Sequence, residues 1–127
     1  MKTILNFTPH PINIFPQTDT FFDATIRKNV VNQGASPKIS IPSSGMLSAK
    51  ITTVADGNIN GIPVFVKKVT GCDPLPDGDS IVIASALFAT AAQKQGLDMS
   101  RICTVADPVF SADGKTVLGC LGICPAI

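Results

Sequence analysis

The single histidine of the chain, His10, lies between two prolines in the stretch Asn6-Phe7-Thr8-Pro9-His10-Pro11-Ile12-Asn13-Ile14-Phe15. Histidine titrates near neutral pH and can donate to phosphate, so a catalytic base or a ligand contact is one reading. The prolines favour another. Each holds the residue before it in an extended conformation, fixes its own φ and offers no N–H. On that reading T-P-H-P is a stiff corner between two strands, and His10 satisfies local carbonyls or a neighbouring loop.

Four cysteines raise the question of zinc. Cys120 and Cys124 have a C-x-x-x-C spacing, but Cys72 and Cys103 are isolated, whereas structural zinc sites bring two close pairs on turns. Buried, reduced thiols are therefore expected, with no metal and no cofactor. Catalytic signatures are absent: there is no G-x-S-x-G elbow, no Walker loop, no H-E-x-x-H and no close pair of carboxylates in an apolar setting. With one histidine, no glutamate and no tyrosine, the chain has little general acid–base machinery. No catalytic residue is assigned. A small hydrolase or phosphodiesterase is the third reading, after the two binding and structural ones below.

Anion binding has more support. Ser85 opens a helix whose free N–H groups and dipole favour negative charge. Arg27, Lys67, Arg101 and Lys115 could add charge-assisted bonds, and Phe88 or Phe110 could stack on a base. The plainer alternative for each is a solvated cation or a core phenylalanine.

The elements that must position these residues are short strands. They are expected at Ile4 to Phe7, Ile12 to Phe15, Lys38 to Ile41, Leu47 to Val54, Ile62 to Val69, Ser80 to Ala84 and Ile102 to Val105. A hairpin is expected from Val109 to Leu118. Runs of β-branched and aromatic residues between Gly, Pro, Asn and Asp mark them. Asn60-Gly61 and Asp113-Gly114 are the turn dipeptides, both suited to positive φ. One helix is expected over 85–95, with Ser85 as N-cap, Lys94 at the negative end of the dipole and Gly96 as left-handed C-cap. The predicted architecture is α+β: a mostly antiparallel sheet of short strands with this helix packed across it.

The totals suit one domain spanning 1–127. A chain of 127 residues buries roughly two-thirds of its unfolded surface. Hydrophobic residues are 45% and charged residues 15%, which excludes disorder and implies that some apolar surface meets another subunit. Net charge is +1 with no basic stripe, so a nucleic-acid polymer is not an expected partner. The start has no apolar h-region, and no run reaches the ~20 apolar residues of a membrane span. A cytoplasmic protein with no membrane partner is expected.

Three segments together resemble a family of small phage and prophage proteins: "LNFTPHPINI", "GIPVFVKKVTGCDPLPDGDSIVIASAL" and "ADPVFSADGKTVLGC". Residues 16 to 45 match nothing in that pattern. The chain is similar to the anti-Thoeris sponge proteins within it. Such sponges are non-catalytic oligomers that trap a cyclic ADP-ribose isomer made by a TIR-domain defence enzyme, and some also trap cyclic oligonucleotides. The resemblance implies a homo-oligomer, dimer or higher, that sequesters a small nucleotide signal in the infected bacterial cell. The contacts expected from residue type, not from the resemblance, are Arg27, Lys67, Arg101 and Lys115 on phosphates and Phe88 on a base, with His10 as a further contact. Relatives often carry arginine where this chain has Phe110, and again near Lys115 and Leu121; phosphate contacts are not transferred to Phe110 or Leu121, and lysine is not an equivalent replacement at Lys115. The alternative function is a structural or accessory phage protein that self-assembles without a small ligand.

Overall fold

The computed structural model describes residues 2–127. It contains ten strands and one α-helix: β1 (Ile4–Asn6), β2 (Ile12–Ile14), β3 (Thr20–Asp23), β4 (Lys28–Val31), β5 (Ile39–Ile41), β6 (Ala49–Ile59), β7 (Ile62–Cys72), β8 (Ile81–Ile83), α1 (Ala86–Gln95), β9 (Ile102–Phe110) and β10 (Val117–Pro125). Eight strands form one sheet along the path β1-β8-β9-β10-β2-β5, with β4 joined to β9 and β3 to β4. The remaining two, β6 and β7, pair only with each other.

This overturns the predicted α+β architecture. The fold is mostly β, and its main sheet is mixed. Within it β1/β8, β8/β9, β4/β9 and β10/β2 are parallel, while β9/β10, β2/β5 and β3/β4 are antiparallel. Parallel partners need long connections, so their neighbours in the sheet are far apart in the chain. Short strands that look like successive hairpins in sequence therefore find other partners. The expected strand at Ile102 and hairpin arm at Val109 are one continuous strand, β9, and β10 continues to Pro125. The hairpin of β3 and β4 lies in the region where no strand was expected.

The main sheet is nearly closed, and Asn6 stands at the seam. A bridge from Asn6 to Ser43, just past β5, brings the last strand of the path back to the first. The Ser44 N–H donates to the Asn6 carbonyl over 2.7 Å. The Asn6 side chain is fully buried and completely used. Its amide donates to the carbonyls of His10 (2.8 Å) and Ile41 (3.1 Å), and its oxygen accepts from the Thr8 N–H (2.9 Å) and hydroxyl (2.6 Å). One amide thus ties together β1, the T-P-H-P corner and β5. His10 is at the corner, but it takes part through its carbonyl and its ring is exposed.

Two apolar clusters divide at β8, whose alternate side chains point to opposite faces. Ile83 packs with Ile12 and Cys120 between the strands of the closed sheet. Val82 faces α1 with Ala84, Phe88, Ala89, Ala92 and Ile102. The helix forms as its sequence indicated. The Ser85 hydroxyl accepts from the Phe88 N–H, and Gly96 closes the end at φ 76°. Its alanines allow a close approach to the sheet. No helix among the described residues is long and apolar enough to cross a membrane.

Close packing also selects Gly119. A Cβ there would fall on the Asn13 carbonyl oxygen and lie 2.8 Å from the Phe15 ring, so β10 could not approach β2 with a larger residue.

Asn6→Ala would take the side-chain partner from the Ile41 carbonyl and the Thr8 N–H and leave the His10 carbonyl with the Thr8 hydroxyl alone, at a cost of roughly 2–4 kcal/mol. Thermal unfolding should fall by on the order of 10 °C. His10→Ala keeps the carbonyl and should melt within a degree or two of the parent. A comparable loss in both variants would show that the imidazole itself supports the seam.

Candidate functional site

Three surface regions combine the chemistry needed to bind something. The first is the arm formed by β6 and β7, joined at Asn60-Gly61, where φ is 52° and 82°. Positive φ at both central residues is the hairpin turn that Asn-Gly favours. Directly paired residues share a face, so Thr52–Lys68, Val54–Val66 and Ile59–Ile62 lie on one side with Val64 between them. Ile51–Val69, Thr53–Lys67, Ala55–Phe65 and Asn58–Pro63 lie on the other. Both faces are therefore partly apolar. Ile59, Ile62 and Phe65 are 65%, 68% and 61% exposed, so the subunit's own core covers neither face. At its root the arm is held to the body. Leu47 and Cys72 pack beside Phe88, and the Ser48 N–H donates to the Asp73 carboxylate over 2.8 Å.

The second region is an apolar groove of about 270 Å³ beside the T-P-H-P corner. Pro11, Ile12, Val105, Val117, Leu118 and Cys120 line it. Its polar groups are His10 and Asn13, and the Asn13 side chain is already occupied: its amide donates to Leu118 O and its oxygen accepts from Ser40. No cation lines this groove. Such a lining suits aliphatic side chains and offers a phosphate nothing but the His10 ring.

The third is a cationic corner where the turn between β3 and β4 meets the turn between β9 and β10. Lys28 Nζ donates to the Gly114 carbonyl (2.9 Å) and lies 4.3 Å from the centre of the Phe110 ring. Arg27 precedes Lys28 with φ 56°, and Lys115 follows Gly114. Asp113 moderates this corner. It accepts from the Ser111 hydroxyl and the Lys115 N–H, which hold its carboxyl below the usual range.

The residues expected to bind a nucleotide therefore do not form one site. Arg27 and Lys115 each adjoin the Lys28–Gly114 hydrogen bond, on the two turns that meet there. Lys67 stands on the arm opposite Thr53, and His10 borders the groove. Phe88 is fully buried under the helix, so it presents no face on which a base could stack, and that expectation is corrected. Arg101 spends its guanidinium on structure. It donates to the carbonyls of Ser80 (3.0 Å) and Pro76 (2.8 Å), clamping the loop between β7 and β8.

Lys28 was missed as a member of the corner. The Arg27-Lys28 pair was visible, but its proximity to Phe110 follows from a parallel pairing between distant segments. Cys103 and Cys124 lie near each other on the paired strands β9 and β10. Burial pushes Cys72, Cys103 and Cys120 upward, which keeps them protonated, and no three His, Cys or Asp side chains converge among the described residues. Comparison with family models, with curated proteins and with solved structures finds no match for this chain.

Removing the Arg101 clamp should be felt as stability. Arg101→Ala leaves two loop carbonyls without their donor and should cost roughly 1–3 kcal/mol in denaturant unfolding. An unchanged midpoint, with nucleotide binding lost instead, would return Arg101 to the ligand site.

Proposed function

We propose that this chain is a non-catalytic, self-assembling structural or accessory protein of phage type, and that the β6–β7 arm is the surface through which it assembles. The single observation supporting this most is the arm's exposed apolar character on both faces. An isolated two-stranded hairpin is marginal in water, and a third strand or a packed partner is what makes one stable. Its outer strands also carry unpaired N–H and C=O groups, a template for pairing that soluble monomers usually blunt. Exposed apolar patches of several hundred Å² on a soluble chain mark interaction sites. The low charge of the sequence points the same way.

A second reading keeps the nucleotide trap implied by the sponge resemblance, and the corner of Arg27, Lys28 and Lys115 favours it. Lys28 over the Phe110 ring, with Arg27 and Lys115 on the adjoining turns, is suited to a phosphorylated ligand. In this reading the oligomer sequesters a cyclic ADP-ribose isomer or a cyclic oligonucleotide without converting it, inside the infected cell.

Sedimentation or light scattering over a hundredfold concentration range tests the first reading. A mass of two or more subunits is expected, and replacing residues 51–69 by a short Gly-containing turn should return it to one. A parent that stays monomeric at high micromolar concentration overturns assembly. For the trap, a thermal-shift series with cyclic ADP-ribose isomers and cyclic di- and trinucleotides should show a rise of several degrees, as ligand at about 100 times its Kd adds ~2.7 kcal/mol. That rise should shrink in Lys28→Ala and Lys115→Ala. Absence of any shift removes the trap.

A further inference from the structure

The assembly reading leaves open what the arm binds, and resting on that reading we infer that the Ile59–Ile62 tip of one subunit docks in the apolar groove of a second copy. The two surfaces match in size and chemistry. Ile59 and Ile62 are a direct cross-strand pair at the end of the arm and are among its most exposed side chains. The Asn60-Gly61 turn holds them in place, so little conformational freedom is lost when they dock. Opposite them is a 270 Å³ groove with an aliphatic lining. A cavity of roughly 150 Å³ left by one large core side chain holds a small apolar guest, so the groove has room to seat one of the two isoleucines, with the other against its rim. Val105, Val117 and Leu118 at its rim are 42%, 58% and 38% exposed, and an apolar tip would cover them.

Reach and charge single out a second copy as the occupant. Strands of 11 residues at about 3.3 Å each extend ~35 Å, long enough to bridge from one subunit to the next. An arm of that length, seated along a neighbour, can approach the ~800 Å² per partner of a standard interface. Residues 49–72 carry Lys50, Lys67 and Lys68 against Asp56, a net of 3 − 1 = +2. The rest of the chain has seven Lys and Arg against eight Asp, a net of 7 − 8 = −1. Opposite signs favour an arm on a body over two arms side by side. Because tip and groove are different surfaces, the contact is either a reciprocal exchange between two subunits or a head-to-tail ring.

A mixing experiment on the full-length chain tests this. The variant Ile59→Asp/Ile62→Asp spoils the tip, and Val117→Arg spoils the groove. All three positions are exposed, so both variants should fold, as circular dichroism will check, and Val105→Arg is a second groove variant should Val117→Arg unfold. Each variant alone is expected to be monomeric in analytical ultracentrifugation at concentrations where the parent is oligomeric. Mixed one to one, they should form a heterodimer, because one intact tip then meets one intact groove.

If the groove variants assemble like the parent while the tip variant does not, the arm docks elsewhere; the inference falls and the proposed assembly stands. Two monomeric variants that fail to associate on mixing also overturn the tip-in-groove contact. A monomeric parent overturns both.

Discussion

A single buried amide closes this fold. Asn6 is the one fully buried polar side chain among the described residues, and each hydrogen-bonding position it has faces a partner. It stands where a curled sheet must meet itself, and there it donates to backbone carbonyls from two segments, those of His10 and Ile41. An amide has two donors and an acceptor on one rigid plane, which a hydroxyl or a carboxylate cannot supply together. The prolines on either side of His10 keep that corner in the shape the amide requires. The T-P-H-P stretch thus has a structural part, with Asn6 as its working side chain and His10 supplying a carbonyl, while the His10 ring borders the groove.

Strand β9 is the second dependency. It pairs along one edge with β10, and along the other first with β8 and then with β4. Asp107, at φ 52°, and Pro108 lie between those two partners, where a bend and a missing donor do least harm. Each apolar cluster draws on a strand that β9 or its partners hold in place. Ile102 of β9 belongs to the cluster under α1, and Cys120 of β10 belongs to the one inside the sheet. The arm is the exception. It touches the body at its root and contributes nothing to either cluster beyond Cys72, so its 11-residue strands are extravagant unless another molecule covers them. The arm and the groove that the nearly closed sheet leaves beside its seam are the two apolar surfaces on which the proposed assembly rests.

Much of the local structure was legible because it depends on neighbours in the chain. Ser85 and Gly96 cap the helix as their types require, and Asn60-Gly61 makes the turn of the arm. The strands at Ile4, Ile12, Ile39, Ile62 and Ile81 begin within a residue or so of where β-branched runs placed them. What the sequence by itself determined was therefore elements, turns and caps. Partners were decided by the tertiary structure. Alternation along a strand says which residues share a face, but nothing about which strand lies beside it or whether that strand runs parallel. Four parallel pairings turned an expected antiparallel sheet into a mixed, nearly closed one. The same limit governed the candidate site. Arg101 and Phe88 have the residue types of a phosphate clamp and a base platform, yet one holds a loop and the other fills the core. Only packing distinguishes those roles, because a side chain's chemistry is local while its exposure is set by everything folded around it.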